Sequence, residues 1–271
     1  MAIKAALLAL LCCAPAAAAD EALDHPYWAL PASTAAVKGP VAAMETGETL
    51  EYDIYWGAIY VGKSYLRIDK VVEISSRPAW HIISEARSGS FLANFYRVAD
   101  RNDAWMDVEG LHSYGYYKKI QEGGYFFNEW VIFDLPSGRV YGEKMNKKRQ
   151  RNPVESAITG PVNDVLSSLY RMRAMDLRPG SDVELDVNTK RNWRIRIKAA
   201  SKTEKISVPF GKKKCLKFEP MAGEEGIFVA KAGRRMLVWI TEDDLKLPLM
   251  LKAEIFIGSV TAKLVRRVIR P

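Results

Sequence analysis

From Glu48 onward the sequence alternates with a period of two. In LEYDIYW and IYVGKSYLRID, then AWHIISEARS, RVADRNDAWMD, LHSYGYYKKIQ, YFFNEWVIFDL and GRVYGEKMNK, polar and apolar side chains take turns, as strands with one buried face require. The intervening turn material, such as Glu122-Gly123-Gly124 and Pro136-Ser137-Gly138, is far shorter than a parallel crossover needs, so successive strands pair antiparallel. The pattern resumes after Gly180 with DVELDV, NWRIRIKAA, EKISVPF, KKCLKFEP, RRMLVWIT and LMLKAEIFIGSVTAKL. In NWRIRIKAA, Trp193, Ile195 and Ile197 face one way and Arg194, Arg196 and Lys198 the other, a half-buried strand with a cationic outer face. Open, strongly twisted sheets rarely exceed about ten strands, so a meander of about 12 must curl.

One segment breaks the code. In VNDVLSSLYRMRAMDLRPG, Val162, Val165, Leu166, Leu169, Met172 and Met175 recur at three- and four-residue steps, which predicts a helix near 162–176 with one apolar stripe. Asn163 is placed to cap its start and Pro179-Gly180 to close it. The expected fold is mainly β: a large curled antiparallel sheet, half-barrel or barrel-like, with one central amphipathic helix packed on its concave face. A short segment, GSFLANFY, reads as a helical turn or a wide loop.

The first residues address the chain rather than fold it. MAIKAALLALLCCAPAAAAD combines Lys4, a short apolar run and Ala17-Ala18-Ala19, the pattern of a secretory signal over residues 1–19 with cleavage after Ala19. Lipidation at Cys12 or Cys13 would need a small residue immediately before the cysteine, and Leu11 and Cys12 stand there instead. The expected compartment is the periplasm. Residues 20–46, rich in Ala and Pro and without either period, read as a flexible leader in which Tyr27 and Trp28 are suited to dock, followed by a single β-rich domain over 47–271. Once the signal is gone, Cys215 is the only cysteine, so no internal disulfide can form. The formal charge is +8, and outside the cytoplasm a basic protein meets lipid head groups, lipopolysaccharide phosphates or acidic proteins rather than nucleic acid.

Catalytic signatures are sparse. His81 and His112 lack metal-ligand spacing, and no metal or cofactor is expected. Ser168-Leu169-Tyr170-Arg171 approaches an S-x-x-K motif, but Arg cannot serve as the base. Cys215 follows Lys212, Lys213 and Lys214 with no marked partner histidine and reads as an inert thiol. Asp100, Arg101, Asp103 and Asp107 read as a strand salt-bridge ladder, and Glu242, Asp243 and Asp244, with Thr241, as a turn.

Binding has better material. Tyr114, Tyr116 and His112 alternate on one face of their strand and Phe126 and Trp130 on one face of the next, while Leu169, Met172 and Met175 project from the helix. Such aromatic and methionine side chains form a dry core or an adaptable pocket for an acyl chain. KMNKKRQR places Lys144, Lys147, Lys148, Arg149 and Arg151 close together, a solvated loop or a contact for an anionic surface.

GETLEYDIYWGAIYVGKSYLRI, NDVLSSLYRMRAMDLRPG, CLKFEP and VWITEDDLKLPLMLKAEIFIGSVTAKL together resemble the exported bacterial family catalogued as domain of unknown function 3108. The resemblance brings no activity and no catalytic residues; it implies the envelope of Gram-negative bacteria. The expected architecture is also similar to that of periplasmic lipoprotein carriers, which hold a lipid between sheet and helix. The expected function is thus non-catalytic binding or carrying of an apolar, anionic, lipid-like ligand. Envelope assembly or scaffolding through a protein partner is the alternative, and a hydrolase of unrecognised type, built on Asp103, His81 or His112, the remote one.

Overall fold

Fifteen strands emerge, every pair antiparallel, in the computed structural model, which describes residues 22–34, 37, 44–189, 191–222, 235–255 and 257–270. They are β1 (Glu48–Trp56), β2 (Ile59–Ile74), β3 (Arg77–Ser88), β4 (Ala99–Asp107), β5 (Ser113–Glu122), β6 (Tyr125–Asp134), β7 (Arg139–Met145), β8 (Arg151–Ala157), β9 (Asp182–Thr189), β10 (Arg191–Ala199), β11 (Glu204–Val208), β12 (Gly211–Ala222), β13 (Met236–Thr241), β14 (Pro248–Glu254) and β15 (Ser259–Ile269). Two helices interrupt them, a turn α1 (Ser90–Ala93) and α2 (Val165–Ala174). One sheet holds all strands, running β8-β7-β6-β5-β4-β3-β2-β1-β15-β14-β13-β12-β10-β9 with β11 beside β12. The expected signal over residues 1–19 lies outside the described residues.

The strand count exceeds expectation for readable reasons. The last apolar run divides at Gly258 into β14 and β15. RNPVESA forms β8 despite Pro153, because β8 is an exposed edge where a missing N–H costs no ladder bond. The basic segment is therefore no free loop: Lys144 lies in β7 and Arg151 in β8, joined through a tight turn that Asn146 holds by accepting from the Lys148 and Gln150 amides.

The sheet curls without closing. Its two edges, β8 and β9, are bridged by the chain leading into α2, where Asn163 N–H donates to the Asp186 carbonyl (2.9 Å) and Asn188 N–H to the Asn163 carbonyl (2.7 Å). Alternating strand directions give the barrel two distinct ends. The β1–β2, β3–β4, β5–β6, β7–β8 and β14–β15 turns meet at the upper end, whereas β2–β3, β4–β5, β6–β7 and β13–β14 turns meet at the lower.

Helix α2 lies across the lower end. Asn163, just before its start, and Arg171, reaching back from its last turn, donate to the Leu111 carbonyl in the β4–β5 turn, and Arg173 donates to the Lys246 and Leu245 carbonyls in the β13–β14 turn. The cap is Asp164, not the expected Asn163. The Asp164 carboxylate accepts from the Leu166 and Ser167 amides, and Ser167 Oγ returns a contact to the Asp164 amide, while the Asn163 backbone is committed to β9. The helix is also shorter than expected, and it buries more than one stripe. Leu166, Tyr170 and Arg173 point into the main core with Leu50, Ile68, Trp80 and Leu249, and Met172 joins a second cluster with Ile195, Ile197 and Val238.

The described part of the leader packs on the sheet. Residues 22–34 are laid over the outer face of β2 to β6, with Leu23 fully buried, its amide donating to Asn128 Oδ1 (2.6 Å), and Lys70 Nζ reaching the Leu30 carbonyl (2.7 Å). Tyr27 and Trp28 dock as expected, but the central residue is His25, whose ring stacks on Trp105 with centroids 4.0 Å apart. Apolar side chains on both faces, Ala104 and Met106 inward and Trp105 and Tyr117 outward, demanded this cover, since a sheet hydrophobic on both sides must bury both.

Candidate functional site

Helix α2 does not fill the concavity of the sheet. Above it lies a cavity of about 440 Å³, bounded below by Val165, Ser168, Leu169 and Met172, the i, i+3, i+4, i+7 stripe of the helix. Val165 and Leu169 keep partial exposure although sheet surrounds the helix, because their side chains border this space. The far wall is apolar, with Leu185, Val187, Ile195, Ile197 and Val238 from the β9–β13 side. It extends to Thr189, Pro220 and Met236, at or near the upper ends of their strands.

The opposite wall carries a polar band. Cross-strand register aligns Leu66 of β2, Ser84 of β3, Asn102 of β4 and Lys118 of β5 in one row, and all four line the cavity. Lys118 Nζ stands 5.4 Å from the Tyr116 ring centroid, and Tyr116 Oη donates to the buried Glu129 at 2.6 Å. The site thus joins an apolar wall to a polar strip that holds Lys118, with Asp103 and Asp164 also on the lining, which suits an amphipathic guest.

Of the candidate binding residues, Tyr116, Leu169 and Met172 converge on this cavity. Met175 does not; with Met172 it borders a separate cleft of about 320 Å³ beside Leu177 and Phe218. Tyr114, Phe126 and Trp130 belong to the outer layer under the leader, a correction to the expected shared face. The cause is a bulge: the β4–β5 register shifts between Trp105 and Met106, so Tyr114 falls out of phase with Tyr116 and its hydroxyl donates to Asp107 Oδ2 (2.6 Å). His112 stands in the β4–β5 turn against the Tyr114 ring. No one-residue shift is visible in a sequence whose alternation continues on either side.

His81 and Asp103 do meet, but beneath the leader. His81 Nε2 lies 2.8 Å from Asp103 Oδ1, and the same carboxylate accepts a two-pronged bond from Arg101 and the Trp28 indole N–H. Both side chains are buried, and every carboxylate oxygen is engaged. Burial works to raise the Asp103 carboxyl pKa, but Arg101 and His81 outweigh it and hold it below its ordinary value. The rest of the acidic series divides: Asp107 pairs with Arg77, while burial raises Asp100 to about 7 beside Glu122 rather than any arginine. Glu242 to Asp244 form the expected turn, Thr241 Oγ1 donating to Asp243 and accepting from the Leu247 amide.

The polar band went unread in the sequence. Its signal is a polar residue where the alternation calls for an inward apolar one, as at Ser64 before Leu66 and Ile68, or Asn102 before Ala104 and Met106.

Residues 51–265 match the family model described as Protein of unknown function (DUF3108). No curated protein matches the chain. Among solved structures the chain is similar to a β-barrel-like protein of domain of unknown function DUF1849 from Brucella abortus, with a TM-score of 0.55 at 10% identity over 85% of this chain and 100% of that one. That likeness concerns the fold. Two further structures align at TM-scores of 0.30 and 0.29: a presumed exported protein with a YmcC-like fold from Bacteroides fragilis, 13% identical, and a presumed lipoprotein from Parabacteroides distasonis, 9% identical. Each alignment covers 83% of this chain and 96% of the other.

Proposed function

Since this chain belongs to the family described as Protein of unknown function (DUF3108), its role has to be read from its own cavity, and we propose that it binds or carries a lipid-like amphiphile between α2 and the sheet. The observation that carries the reading is the apolar stripe of the partly exposed Val165 and Leu169, continued by the buried Met172, which borders a cavity of about 440 Å³. That volume falls in the range of about 300–1,000 Å³ typical of ligand sites. Apolar surface facing such a void lacks packing partners, and an acyl chain there would contribute about 0.8 kcal/mol per buried methylene. The polar row with Lys118 is the side on which an anionic head group finds donors. The secretory pattern of residues 1–19 sets this role in the periplasm. A scaffolding protein, the competing reading, has no use for a chamber behind its helix.

Native mass spectrometry with lipid extraction on the mature protein from a bacterial periplasm tests this, beside a Leu169→Trp variant that adds an indole to the cavity floor. Co-purifying phospholipid or lipopolysaccharide fragments present on the wild type and absent from the variant are the expected result. Wild type that arrives empty and takes up no added lipid overturns it.

A further inference from the structure

The two ends of the barrel differ in chemistry, and the upper one is built like a membrane-facing surface. Of the eleven exposed large hydrophobic side chains among the described residues, nine lie at the upper end; only Tyr141 and Ile269 lie elsewhere. The most extreme are Phe91 and Phe95, 80% and 78% exposed, paired edge to face at 5.7 Å on and beside α1. Contacts join these turns into one continuous rim. Trp56 Nε1 donates to the Ile257 carbonyl across the β1–β2 and β14–β15 turns, the Gly89 amide before α1 donates to the Val61 carbonyl, and the Gly123 amide in the β5–β6 turn donates to the Arg97 carbonyl.

Charge follows the same axis. The described upper turns, residues 57–58, 89–98, 123–124, 146–150, 255 and 257–258, contain no Asp or Glu, but they hold Arg97, Lys147, Lys148 and Arg149. The lower connections carry Glu109, Asp176, Glu242, Asp243 and Asp244, against Arg178, which pairs with Asp176, and Lys246, so acids outnumber bases there. A soluble monomer gains nothing from exposing a contiguous aromatic rim, and such a patch marks an interaction surface. Aromatic side chains at head-group depth with interleaved cations match an anionic bilayer.

We propose that the upper rim seats peripherally on an anionic phospholipid bilayer, Phe91 and Phe95 inserting among the head groups and Arg97, Lys147 and Lys148 facing lipid phosphates. The inference deepens the proposed function by naming the source of the ligand, because the cavity reaches Thr189, Pro220 and Met236 near this same end. It also takes up the basic β7–β8 turn as one part of a larger surface.

Vesicle co-sedimentation with the mature protein tests it, using phosphatidylcholine alone and phosphatidylcholine mixed with phosphatidylglycerol. Binding to the mixed vesicles only, weakened by salt, is expected, since each basic residue near such a surface contributes about 1 kcal/mol, or roughly fivefold. Phe91→Ser with Phe95→Ser should lower binding about tenfold, and separately Lys147→Glu with Lys148→Glu by about 25-fold or more, each with unchanged circular dichroism and melting, because these side chains are exposed. Wild type that ignores both vesicles, or both paired variants binding as wild type does, overturns the proposal. The cavity reading is scored apart: Leu169→Trp keeps vesicle binding if the rim seats the protein, and lipid uptake from detergent solution without any vesicle binding sinks the rim while sparing the cavity.

Discussion

Arg173 of α2 and Glu48 at the start of β1 form a two-pronged ion pair, 2.6 and 3.0 Å long, with both side chains fully buried. Arg267 of β15 adds a third bond to the same carboxylate at 2.9 Å, and Arg173 spends two further donors on the Lys246 and Leu245 carbonyls. The pair pins the C-terminal turn of α2 to the sheet and so sets the floor of the cavity. Breaking a buried pair by removing one partner costs about 3–5 kcal/mol. Glu48→Ala removes the carboxylate that Arg173 and Arg267 share, leaves the buried Arg173 without its counter-ion and should be the more damaging change, whereas Arg173→Met leaves Glu48 with Arg267. Urea denaturation of the two variants measures this, and equal losses would mean that Arg267 does not share the load.

Stability should have limits on both sides in pH, set by the two histidines stacked on Trp105 at 4.0 and 4.8 Å. Burial pushes His25 down to about 3, with Asp103 working against that and His81 adding to it. The unfolded chain takes up this proton near 6.5 and the folded chain does not until about 3, so the contribution is complete above the unfolded value and drains away as pH falls between them, by about 1.4 kcal/mol per unit. For His81, burial lowers the pKa, but the hydrogen bond to Asp103 and the Asp69 carboxylate 3.5 Å from Nδ1 together raise it above its ordinary value. Its contribution is complete below the unfolded value and is lost as pH rises through the folded one. In denaturation across pH, His25→Asn should flatten the acid limb and His81→Gln the alkaline limb. An acid limb unchanged in His25→Asn would remove His25 as its cause.

Cys215 should behave as a packing residue. Its side chain is fully buried and burial pushes the thiol up to about 12, helped by Asp243, Glu204 and Glu242. Two of the lysines before it are turned to other partners, Lys213 to Asp243 and Lys214 to Glu242. Labelling by a thiol reagent should be negligible in the native protein and track unfolding in denaturant. Rapid native labelling would contradict the packing.

Lys118→Gln tests the head-group side of the cavity. Replacing the cation should weaken an anionic lipid by about tenfold, the lower range of one charge-assisted hydrogen bond, with little change for a zwitterionic lipid of equal chain length. Competitive displacement of a fluorescent fatty acid reads both. Equal loss for the two lipids would place Lys118 in structure rather than recognition.

What the sequence determined by itself is local. Alternation, short turns and one helical stripe require an antiparallel meander with a single inserted helix, because side-chain period and connector length follow directly from backbone geometry. Ile195 and Ile197 inward with Arg194 and Arg196 outward is that rule at work. Everything that makes a site was decided by tertiary structure. The bulge that separates Tyr114 from Tyr116, the docking of His25 on Trp105 and the pairing of Glu48 with Arg173 join residues up to 125 positions apart. Periodicity carries no information over such distances. Whether α2 fills the sheet or leaves a chamber depends on the curvature that fifteen strands accumulate, a property of the whole sheet that no single segment encodes.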